Sequence, residues 1–203
     1  MLALMEAPKL IGKIQRLRAA VGAAEDRDLS KFKAKWEPVG DGFALRQDMT
    51  GGMTEPEMQN VAAQIISSIA DLKDHLRKWA KANGHDPDEV DATVKGCKEL
   101  ALVIDLNNFD KHGSHGRGTW SGEEPELRDV RRMMIVKSVP GNKTIGFRPV
   151  AGGGMEPFGG DGGKVTIDGD VVLKDGSKKP LWFIQVAAIE AWEQIFEKFE
   201  IPT

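Results

Sequence analysis

Apolar residues recur every three or four positions over most of the first half of the chain, the spacing of amphipathic helices. Leu10, Ile14, Leu17 and Val21 open the pattern, and Leu29, Phe32 and Trp36 resume it after a charged patch. This predicts helix from Lys9 to about Trp36, and Gly12 and Gly22 allow two helices as well as one. The next element, Thr54 to Ala82, is the clearest. Thr54 stands at an N-cap position, Pro56 in the first turn and Glu57 three residues after the cap. Met58, Val61, Ile65, Ile69, Leu72, Leu76 and Trp79 then form one stripe, and Asn83-Gly84 ends it. A third helix is predicted from Asp88 to His112, with Val90, Val94, Cys97, Ala101 and Ile104 in phase and Gly113 as its stop.

Beyond Arg131 the period shortens. Met133 to Val139 and Thr144 to Val150 read as strands around a turn at Pro140–Lys143. Ala151 to Gly163 holds seven glycines in thirteen residues and reads as a mobile loop. Val165–Ile167 and Val171–Leu173 read as two short strands separated by Asp168-Gly169. Pro180 opens a last helix, in which Trp182, Val186, Ile189, Trp192, Phe196 and Phe199 share a broad apolar face. The pattern predicts a mainly α protein: an antiparallel up-and-down helical bundle with a small antiparallel β insertion before the last helix. One domain over 1–203 would take its bundle from about 9–113 and 180–200, and its β excursion from about 131–175.

Composition narrows the function classes. The 28 Lys+Arg against 31 Asp+Glu give a net charge of −3, which argues against a dedicated duplex-binding protein. One cysteine, Cys97, excludes a disulfide framework and fits a reducing, cytoplasmic setting. Nothing reads as a membrane span or a secretory signal. No metal site or cofactor is predicted: His112 and His115 beside Asp105 or Asp110 lack zincin spacing. The Gly159–Lys164 stretch lacks the spacing of a phosphate-binding loop and precedes a strand.

Two regions carry candidate chemistry. Asp105 to Gly113 is densely polar, and a pocket using Asn107 or Asn108 with Lys111 and His112 is one reading, His112 serving as general acid/base or anion contact. The plainer reading is helix termination, since Lys and His suit the negative end of the helix dipole. Counting residues outward from the turn at His85 sets His112 at the level of Met58 and Glu57, far from Asp74. Arg128, Arg131 and Arg132, with Trp120 nearby, form a locally basic stretch that could meet single-stranded nucleic acid. His85 reads as solvated, His75 as a partly buried structural residue, and Cys97 as core.

The run Leu72-Lys73-Asp74-His75-Leu76, the run Asn108-Phe109-Asp110-Lys111-His112 and the late Ala187–Trp192 segment together resemble HEPN-like helical-bundle proteins, notably bacterial and phage-associated members. The resemblance spans about Thr54 to Phe199. It implies an up-and-down bundle that is often a homodimer, with protein or RNA partners. Some members of that group are RNases of defence and toxin–antitoxin systems, and these place an arginine a few residues before the histidine. The corresponding positions here are Asp105, Leu106 and Asn107, none of them basic. The expectation is therefore a non-catalytic HEPN-like interaction module. The alternative is an RNase or nucleotide-handling enzyme that uses His112, Lys111 and Asn108 with an arginine such as Arg117 or Arg131.

Overall fold

A computed structural model describes residues 2–113, 118–135, 146–150, 154–158 and 163–202. Helix α1 runs over Leu2–Ala24, followed by a single 3-10 turn at Leu29–Lys31. Strands β1 (Ala34–Val39) and β2 (Gly42–Gln47) form a hairpin, and α2 covers Glu55–Ala82. Two further helices follow, α3 (Asp88–Gly96) and α4 (Lys98–His112). Strands β3 (Glu126–Ile135), β4 (Gly146–Val150), β5 (Gly154–Phe158), β6 (Lys164–Val172) and β7 (Lys178–Pro180) lead into α5 (Leu181–Lys198). The strands make two antiparallel sheets, one ordered β2-β1-β5-β4 and one ordered β3-β6-β7.

This is a mixed α/β architecture, and it corrects the mainly helical bundle expected from the periodicity. Three local differences account for the change. The stretch Ala34–Gln47 is a hairpin rather than helix, turned at Gly40-Asp41, where Gly40 takes φ 55°. Its Gly40-Asp41 pair, with glycine at the first turn position, is a hairpin signal that the helical phase of Leu29, Phe32 and Trp36 obscured. Gly154–Phe158, expected within a loop, is a strand that bridges β4 and β1. The two short strands expected around Asp168-Gly169 are one continuous β6, which supplies Ile167, Val171 and Leu173 of the flanking run to the main core beside all five helices. The second sheet is thus a layer of the core and not a patch at its side. The expected turn at Pro140–Lys143 lies outside the described residues.

Gly169 makes that layer possible. It sits opposite a β-bulge in β3, where the register shifts between Arg128 and Arg131. A Cβ at Gly169 would come within 2.9 Å of Leu127 Cδ1 and 3.2 Å of the Arg128 carbonyl oxygen.

Helix α2 starts as its sequence predicts: Glu57 accepts hydrogen bonds from the Thr54 backbone N–H (2.7 Å) and hydroxyl (2.8 Å). Trp192 of α5 is fully buried and its indole N–H donates to the Ile69 carbonyl at 2.9 Å, which pins α5 to α2. The N-terminus of α5 is capped from outside the helix, because Pro180 has no side-chain acceptor. Asp168 of β6 accepts from the Trp182 backbone N–H at 3.0 Å. His85, expected in solvent, is half-buried and packs in a three-ring cluster with Trp79 and Phe199, with ring centroids 5.3 and 4.6 Å away. No helix among the described residues is long and apolar enough to cross a membrane.

Candidate functional site

The helix predicted from Asp88 to His112 is broken at Cys97, whose backbone is extended at φ −118° and ψ 103°. The Cys97 sulfur accepts from the Leu100 N–H at 3.4 Å and so caps α4. The Lys111 ammonium donates to Asp71 of α2 at 3.2 Å, just ahead of the Leu72–Leu76 run. The expected placement beside Met58 and Glu57 assumed one straight helix. The Lys111 side chain reaches Asp71, while Asp110 beside it borders a groove with Gln59 and Asn60, next to Met58.

Asp71 also accepts from Lys13 of α1 at 3.2 Å. Burial pushes its carboxyl upward, but the hydrogen bonds and charges of Lys111 and Lys13 outweigh that and hold it below the ordinary carboxylate value. One turn on, His75 is half-buried and its imidazole is held below its usual value by burial, reinforced by Lys13 and Lys78. Asp71 and Asp74 oppose that shift.

His112 is exposed on the last turn of α4 and forms no hydrogen bond or ion pair among the described residues. Gly113 follows at φ 66°, the left-handed stop that its sequence predicts. Asn108 is half-buried. His115 and Arg117 lie outside the described residues. Asp105, a buried carboxylate earlier in the same helix, holds the loop that follows. It accepts from the Trp120 N–H (2.9 Å), the Ser121 N–H (2.8 Å) and the Ser121 hydroxyl (2.6 Å). The Lys73 ammonium lies 4.5 Å from the centroid of the Trp120 ring so positioned.

The three basic candidates of β3 each have an intramolecular partner. Arg128 pairs with Glu126 at 2.5 Å, and Arg131 bridges Asp170 (2.8 Å) and Asp168 (3.3 Å). Arg132 donates to the Thr50 carbonyl at 3.1 Å and lies over the Phe32 ring, 5.0 Å from its centroid.

A groove of about 400 Å³ opens between α2, α4 and β3. Gln59 and Asn60 of α2, Asn107 and Asp110 of α4, and five consecutive residues of β3, Glu126 to Val130, border it, over an apolar floor that includes Ala63, Ile66 and Leu106. Asn107 is only 7% exposed, and its carboxamide has no hydrogen-bond partner among the described residues. Asn107 was one of two asparagines that the sequence offered, and the structure sets it, rather than Asn108, on the groove. Sequence reasoning missed Gln59 and Asn60, because nothing in a helical repeat says which polar position will face a strand 60 residues away. No protein-family model, curated protein or solved structure matches this chain.

Among the described residues, no three or more His, Cys, Asp or Glu side chains gather as a metal site would require. The groove can therefore offer a ligand carboxamides, carboxylates and one strand edge.

Proposed function

We propose that this chain is a non-catalytic binding module, of the HEPN-like kind that its motifs resemble, and that the α2–α4–β3 groove is its recognition site. The observation that carries the reading is Asn107. Its carboxamide has no protein partner among the described residues and its polar atoms reach the solvent of the groove, so they are open to a ligand. A ligand that hydrogen-bonds Asn107 would take the place of groove water, and Gln59 and Asn60 across the groove would add specificity.

The end of α4 supports the same reading. Lys111 is engaged by Asp71, and Asp105 holds Trp120 and Ser121 at the place where the nuclease members carry an early arginine. Cleavage by His112 would need a cation to stabilise the charge that develops on phosphate.

A metal-free cleavage assay on a mixed RNA pool tests this. Wild type and His112→Ala should both leave the pool intact relative to buffer. Cleavage that wild type performs and His112→Ala abolishes would overturn the reading in favour of an RNase.

A further inference from the structure

Five consecutive strand residues border the groove, although side chains along a strand alternate between faces. The bulge between Arg128 and Arg131, where Asp129 takes φ 51°, breaks that alternation, so residues of both parities reach the groove. β3 ends its sheet, paired only with β6 among the described residues. On such an edge every second residue turns its N–H and C=O away from the neighbouring strand. The bulge adds to this at Val130, which has no register partner on β6, whereas the Asp129 carbonyl accepts from Arg131. The groove thus presents backbone hydrogen-bonding groups on one wall and the carboxamides of Gln59, Asn60 and Asn107 on the others, all groups that match peptide N–H and C=O.

Charge selects among peptides. Of the three carboxylates that border the groove, Glu126 pairs with Arg128 and Asp129 lies 3.7 Å from the Lys178 ammonium, which leaves Asp110 to meet a cation. Asp110 is exposed and makes no ion pair among the described residues. We infer that the groove binds an extended peptide segment of a partner protein, which adds as a strand to the outer edge of β3, bonds Asn107 through its backbone and sets a lysine or arginine against Asp110. This rests on the binding-module reading and names its partner class. The five residues of β3 span about 17 Å, so the peptide engages over roughly five residues.

Panning a random-peptide display library on the full chain, with counter-selection on Asp110→Lys, tests the inference. Asp110 is exposed, so that variant should fold. Enriched peptides should carry Lys or Arg within a β-prone run. N-methylation of alternate backbone nitrogens should weaken a synthetic copy about tenfold, the loss expected for one or two ladder hydrogen bonds. Asn107→Leu should weaken the unmodified peptide by a similar factor. Failure to enrich any peptide over the Asp110→Lys control would overturn strand addition, and so would enriched peptides indifferent to N-methylation. Neither result touches the RNA-cleavage test, so the two proposals fail separately.

Discussion

Lys111, one residue from the end of α4, meets Asp71 of α2 at 3.2 Å, and the same carboxylate holds Lys13 of α1 at 3.2 Å. Three helices are thus tied at one point, where two motif runs far apart in sequence converge.

The strength of that tie is modest. Lys111 is nearly half exposed and Asp71 keeps a second cation, so Lys111→Met should cost at most about 1 kcal/mol in urea unfolding. A much larger loss would mean that Lys111 organises more than this contact.

Acid should weaken the fold before carboxylates titrate. Burial first, then Lys13 and Lys78, hold folded His75 below its ordinary 6.5. The unfolded chain then binds the proton more readily, so this contribution is complete above about pH 6.5 and declines as pH falls through the folded value. Stability measured between pH 7.5 and 5 should fall, and His75→Gln should flatten that slope.

Trp192 joins α5 to α2 by its buried ring and its bond to Ile69. Trp192→Ala should cost about 3–5 kcal/mol through the cavity it leaves. A loss below about 1 kcal/mol in chemical denaturation would show that the ring is not packed as described.

Gly169→Ala should destabilise the chain by about 1–3 kcal/mol, because the added methyl meets Leu127 Cδ1 and the Arg128 carbonyl at the bulge. Gly12→Ala, with open space around it, should be neutral or mildly stabilising in the same thermal melt.

What was legible in the sequence follows from local physics. The bounds of α2 were readable because Thr54, Glu57 and Gly84 act within a turn of the helix ends, and the stop of α4 because Gly113 must take a positive φ. The break at Cys97 left the stripe of Val90, Val94, Ala101 and Ile104 in phase, so periodicity did not reveal it. β1 was hidden by residues whose spacing happens to suit a helix, although Ala34 pairs with Gln47 and Lys35 with Arg46 across the hairpin. The groove was the least legible feature. Asn107 was one of several polar residues near a helix end, and its place on a groove is set only when β3 packs alongside α2 and α4.

The central claim is that the α2–α4–β3 groove recognises peptide groups through Asn107. Titration of the isotope-labelled chain with N-methylacetamide, a single peptide group in solution, tests this by nuclear magnetic resonance. The account predicts progressive shifts in the Asn107, Gln59 and Asn60 side-chain amides and in the backbone amides of Glu126 to Val130. Shifts absent there, or concentrated at His112 and along the α1–α5 face, would contradict it.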